Sequence, residues 1–153
     1  MEYTLMDSLA ETNKMVVFKL LDNYTSQDYA GIESTLAEDV SWYVPGSHPL
    51  SGNKLGRAAV MAYLRVLRQI PLHTERLILA ANDNFVTYCY RGWAPHEEHS
   101  LNLNWVLLFE LAAGKIQRVE HFTSDQLAVD FFFWSICKSL PGQEGLDCRP
   151  HGL

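Results

Sequence analysis

Residues Val40–Gly56 read VSWYVPGSHPLSGNKLG, and the fold turns on this stretch. Val40, Trp42 and Val44 alternate with Ser41 and Tyr43, the period of a half-buried strand, and Pro45-Gly46 stops that strand abruptly. A strand that ends on bulky aromatics against a Pro-Gly turn makes a good cavity wall. The loop beyond it carries His48, Pro49, Gly52 and Gly56 and feeds a helix starting near Arg57. Wall, lip and lid of a pocket should therefore lie close together.

Upstream, Leu5, Leu9, Val16 or Val17, Leu20 and Tyr24 recur at helical spacing, which predicts an amphipathic helix from about Thr4 to Asn23. Ser26 and Asp28 are good N-cap types for a second, shorter helix with Tyr29, Ile32 and Leu36 as its apolar stripe. Downstream of the loop, Val60, Leu64 and Leu67 mark a third helix that Pro71 ends. Strands follow at Leu77–Ala81, Phe85–Trp93, Leu101–Leu111 and Lys115–Thr123, the first pair joined by the turn-forming Asn82-Asp83-Asn84 and the last by Ala112-Ala113-Gly114. Asp125–Leu140 reads as a final, very apolar helix with Phe131, Phe132, Phe133 and Trp134 in a row. Helices segregated onto one face of a bent antiparallel sheet make an α+β roll with a cone-shaped interior.

With 153 residues, 48% of them hydrophobic, the chain suits one domain, residues 1–140, followed by an irregular tail at 141–153 that is rich in glycine and proline. A formal charge of −6 and the lack of any basic run argue against nucleic acid. No apolar stretch approaches the ~20 residues that cross a bilayer, and the acidic N-terminus does not resemble an export signal, so a cytoplasmic setting is expected. Cys89, Cys137 and Cys148 are too few for a disulfide framework and read as ordinary thiols. His96 and His99 flank Glu97-Glu98, but a solvated loop explains them better than a metal site, and no metal is expected.

Three pieces of the chain together resemble the nuclear-transport-factor-2-like (NTF2-like) superfamily, in its SnoaL-like and ketosteroid-isomerase-related branch. They are Trp42–Gly46 continuing into Pro49–Gly52, the hairpin from Phe109 through Ala113-Gly114 to Ile116, and the ending Glu120-His121-Phe122-Thr123 with Asp125, Asp130 and Trp134. The resemblance implies an NTF2-like cone-shaped roll, a curved antiparallel sheet packed on N-terminal helices with a C-terminal helix, around a deep hydrophobic pocket. Members use such pockets for isomerisation, cyclisation, epoxide opening or binding alone, so the resemblance narrows the site more than the chemistry.

Residue by residue, the catalytic groups of those branches are missing. Where a steroid isomerase carries its base, this chain has Val44; its oxyanion donors would fall near Phe18 and Val106, which can neither donate nor accept a proton. Where the cyclases place an acid after Glu120-His121-Phe122, this chain has Thr123, whose hydroxyl pKa is too high for proton exchange. Asp125 lies two residues on, either an acid for the site or the N-cap of the last helix. The Asp-Arg-Asp set of the epoxide hydrolases finds no match around Arg91 or Arg118.

If Ala113-Gly114 is a tight turn, Asn104 opposes Thr123 and Val106 opposes His121; a bulge near Arg118 moves this register. Asn102, Asn104, His121 and Thr123 then dot an otherwise apolar wall, a pattern common to ligand pockets. His121 is the best candidate for proton transfer because imidazole titrates near neutrality, the alternative being a core histidine satisfied by Asn104 or a carbonyl. His48 lies at the cavity mouth or on the plain surface, and Trp42 and Tyr63 are ligand contacts or core. The functional expectation is a small, apolar, polyketide- or terpenoid-like ligand, handled without a cofactor by acid-base chemistry of an isomerase or cyclase kind. The competing expectation is a non-catalytic binding or dimerisation module. Apolar surface beyond what one cone covers further predicts a homodimer through the sheet.

Overall fold

The structure, a computed structural model, describes residues 8–96 and 99–137. The expectations for the tail, for Cys148 and for Glu97-Glu98 lie outside the described residues. In chain order the elements are α1 (Leu9–Ser26), α2 (Tyr29–Glu33), β1 (Leu36–Val44), β2 (Gly52–Leu55), α3 (Arg57–Arg68), β3 (His73–Ala81), β4 (Phe85–Ala94), β5 (Leu101–Ala112), β6 (Lys115–Thr123) and α4 (Gln126–Ser135).

Local chemistry sets the helix ends. Ser8, Asp28 and Asp125 accept hydrogen bonds from the backbone N–H of Glu11, Gly31 and Ala128, which caps α1, α2 and α4. Gln27, in the left-handed region at φ 59°, closes α1 with bonds back to Asn23 and Tyr24. Leu36, expected on the second helix, instead opens β1, because Thr35 breaks off after one turn and hands Leu36 to the sheet core.

The strands form one six-stranded sheet in the order β2-β1-β6-β5-β4-β3. Strands β3 to β6 pair antiparallel in sequence, as the alternation suggests, whereas β1 lies parallel to β6 with Trp42 opposite Val119. The short β2, which the glycine-rich loop concealed, pairs back onto the end of β1. Trp42, Val40, Phe109, Val119, Ile116, Val86 and Phe132 form the middle of the core between the sheet and the helices.

Register is where the structure departs most from expectation. Ala112 does face Lys115, but a bulge between Glu110 and Leu111 leaves Gln117 unpaired and shifts everything beyond it by one residue. Trp105 then opposes Thr123, Leu107 opposes His121, and Phe122 opposes Val106. A one-residue shift moves side chains to the other face. Asn102 and Asn104 are therefore exposed on the outer face and Val106 points the same way, so none of the three shares the wall of His121. Cys89 is a free thiol, while Cys137 is buried and disulfide-bonded, which corrects its reading as an ordinary thiol. Among the described residues no helix is long and apolar enough to cross a membrane.

Candidate functional site

Two adjoining chambers occupy the concave side of the sheet. One lies under α4, between the end of β1, α3 and the His48 loop, with a cavity volume of about 40 Å³; the other lies under α1 and has about 430 Å³. They share Leu67, Leu72, Tyr90 and His121, so His121 stands at the boundary. Val44, Tyr63, His48 and Thr123 line the α4-side chamber, and Trp42 lines the α1-side chamber with Phe18. Five of the sequence candidates and Trp42 thus meet around one space.

The remaining candidates do not reach it. Asp125 is exposed, spends a carboxylate oxygen on the Ala128 N–H, and borders an outer groove with Asn102 and Asn104. The acid expected near the site is thus a helix cap. Arg118 pairs with Glu120 and Arg91 bonds Asn102 at 2.9 Å, both outside the cavity. Four groups that sequence reasoning passed over do line the α4-side chamber: Tyr90, Trp105, Gln126 and Phe133. Gly92, which pairs with Leu103 and lies under the Trp105 ring, was their one available signal, because any Cβ there would meet that ring at 2.5 Å.

His121 is held by a contact that joins two strands. The Trp42 indole Nε1–H donates to His121 Nε2 at 2.6 Å, across the parallel β1–β6 pair. Indole has no acceptor, so Nε2 must present its lone pair and the ring proton of the neutral imidazole sits on Nδ1. Nδ1 has no partner among the described residues. Although His121 keeps some accessible surface, that surface borders the chambers, and burial together with the charges of His48 and Lys54 pushes its pKa down to about 3. His121 is therefore neutral at physiological pH, as a donor from Nδ1 and with its only lone pair already occupied.

His48 repeats this arrangement. Only 5% exposed, it stacks on Phe133 at 4.6 Å, and its Nδ1 accepts the Leu50 N–H at 3.2 Å. The proton therefore lies on Nε2, which is buried without a hydrogen-bond partner; the Pro45 carbonyl favours the cation slightly but stays outside bonding geometry. Desolvation outweighs the nearby Asp130 charge and lowers the His48 pKa to about 4. Tyr63 and Tyr90 are pushed well above their ordinary value by burial and stay phenols.

Helix α4 closes the chamber through one buried acid. Asp130, 6% exposed, accepts from Ser47 N–H at 3.1 Å and from Gln126 Nε2 at 2.9 Å, while Trp134 Nε1 donates to the Ser47 carbonyl. This network needs glycine at position 46. Its φ is +102°, and a Cβ there would lie 2.3 Å from Asp130 Oδ1. The Pro45-Gly46 turn read from the sequence is thus the seat on which α4 rests.

A family model described as the SnoaL-like domain matches residues 17–119. Bal32a, from a soil-derived mobile gene cassette, superposes with a TM-score of 0.74 at 23% identity over 82% of this chain and 99% of its own. An NTF2-like protein from Burkholderia xenovorans LB400 gives 0.70 at 21% identity, covering 81% and 97%. TerC, co-crystallised with polyporic acid, gives 0.66 at 20% identity, covering 77% and 95%. At these identities the likeness is one of fold. No curated protein matches the sequence.

Proposed function

The chain belongs to the SnoaL-like domain family, and from that premise we propose that its cone binds a small, largely apolar cyclic molecule of the polyketide or terpenoid kind, any conversion relying on side chains without a cofactor. One observation carries this reading: two adjoining, mostly apolar chambers share Leu67, Leu72, Tyr90 and His121 on their walls, inside a fold in which a co-crystallised organic acid accompanies TerC. Of the two residues expected to move protons, only His121 borders the cavity. Trp42, Val44, His48, Tyr63 and Thr123 supply the ligand contacts.

A second reading, a binding or dimerisation module without catalysis, is favoured by a specific feature. Among the described residues no carboxylate lines the α4-side chamber, so no strong base faces His121 from that side, and Asp22 is the one carboxylate on the wall of the α1-side chamber. Titration with tetralin and fluorene, followed by the fluorescence of Trp42 and Trp105, should give saturable one-to-one binding. No saturable change with either compound would count against a binding cone. Product analysis on cyclic ketones that do bind separates the two readings, since the module leaves every one unchanged.

Assembly follows from the outer face of the sheet. Tyr43, Leu55, Ile78 and Phe122 are exposed there, Leu55 by 70%, and an apolar strand face of this kind is proposed to pair with a second copy. Sedimentation equilibrium should return about twice 17.4 kDa; a mass that stays at 17.4 kDa across micromolar concentrations would sink the dimer. The cytoplasmic setting is a proposal against which the Cys137 disulfide weighs, since reducing compartments rarely keep such bonds.

A further inference from the structure

We propose that the α1-side chamber takes a small carboxylic acid, whose apolar body fills the chamber while its carboxylate forms an ion pair with Arg76 at the mouth. This rests on the reading of the cone as a binding site for a small, largely apolar molecule and adds the charged group that such a molecule carries.

Arg76 opposes Tyr90 in the β3–β4 pair, and Tyr90 is buried on the concave face, so an arginine occupies an inward strand position. The register breaks immediately after it, between Arg76 and Ile78, and a bulge of this kind re-aims the neighbouring side chain. The guanidinium lies 5.3 Å over the ring of Phe18, itself 39% exposed, and that contact holds it at the chamber wall. Tyr88 lies on its other side: burial raises the phenol pKa, and the charge of Arg76 opposes that shift. The other charges on this wall differ from it. Arg68 spends its Nε–H and Nη2–H on the Tyr24 and Thr25 carbonyls, at 3.2 Å each, where α1 ends. Asp22 is exposed, and the ion pairs among the described residues join Lys14 to Glu11, Arg91 to Glu75 and Arg118 to Glu120. Arg76 is therefore a cation without an anion in a chain of net charge −6. Its planar head offers paired N–H donors that match a carboxylate. Behind it, Leu20, Leu64, Leu67 and Leu107 line about 430 Å³, the size of a small-molecule site. Asp22 on the same wall repels further negative charge, which favours a monoacid.

Three compounds with one ring frame test this: 1-naphthylacetate, its neutral amide and 1-naphthylmethylamine, titrated calorimetrically against the full-length protein at neutral pH. Because Arg76 is exposed, the acid should bind about five- to tenfold tighter than the amide, and the ammonium compound weaker than the acid. The net negative charge of the protein disfavours anions in general, so such a preference marks a local cation. It should shrink toward unity in about 0.5 M salt, which screens an exposed pair. Arg76→Gln should bring the acid down to the affinity of the amide while amide binding persists, and Arg76→Lys should retain part of the preference. Asp22→Asn should raise acid affinity about twofold. If Arg76→Gln fails to fold, the wild-type ratio and its loss in salt decide alone. Equal affinities for acid and amide, or a preference that Arg76→Gln leaves intact, would overturn the carboxylate assignment and leave the binding cone standing. A preference for the ammonium compound would overturn it as well, and failure of all three to bind would overturn both.

Discussion

Lowering the pH from about 7 to about 5 should cost the folded protein about 4 kcal/mol, close to 2 kcal/mol for each of His48 and His121. Both rings have an ordinary value of 6.5 in the unfolded chain and are held at about 4 and about 3 in the fold, chiefly by desolvation. Across this window the unfolded chain takes up protons that the native state refuses. Stability from a depressed histidine is therefore fully present above pH 6.5 and lost as the pH falls toward the folded value. Ordinary carboxylates titrate mostly below this window and contribute little to the slope. Urea unfolding at several pH values measures it directly. His121→Gln should remove about half of the slope, and a wild-type free energy that stays flat between pH 7 and 5 would mean that the imidazoles are not buried as described.

Trp42→Ala should destabilise the protein by about 3–5 kcal/mol, the range for removing a large buried aromatic. Trp42 is 2% exposed and packs edge-on to Phe109 at 6.0 Å and tilted against Tyr63 at 6.1 Å. Its replacement leaves a cavity in the centre of the core and strips His121 of its donor. Trp42→Phe separates these losses, because the ring still fills most of the space while the indole N–H is gone. That variant should cost about 1–2 kcal/mol and allow the His121 proton to move to Nε2. Denaturant midpoints for the pair check the order. A cost below about 1 kcal/mol for the alanine variant would contradict the placement of Trp42 at the core.

How far the sequence carried can be judged from particular residues. Alternation and turn chemistry located β6 from Lys115 to Thr123 and the N-cap at Asp28, because those signals are local. His48, Tyr63, Val44 and Thr123 came to one chamber because Val44 and His48 flank the Pro-Gly turn, Thr123 takes an inward position on β6 and Tyr63 lies on the buried face of α3. The polar wall failed on one residue. Gln117 bulges out of β6 without disturbing the alternation on either side, so the opposing register slipped and took Asn102, Asn104 and Val106 to the outer face. Asp125 showed the opposite difficulty, since a helix cap and a catalytic acid share the same residue type. The Trp42–His121 bond was beyond local reading altogether. It depends on β1 lying parallel to β6, a pairing between segments 79 positions apart.

Nitrogen NMR of the His121 imidazole tests most directly the claim that the cone presents neutral donors. With the ring labelled, Nδ1 should appear protonated and Nε2 as an unprotonated, hydrogen-bonded nitrogen, both unchanged between about pH 8 and about pH 5. An imidazole that titrates near its ordinary 6.5, or one whose proton resides on Nε2, would contradict it.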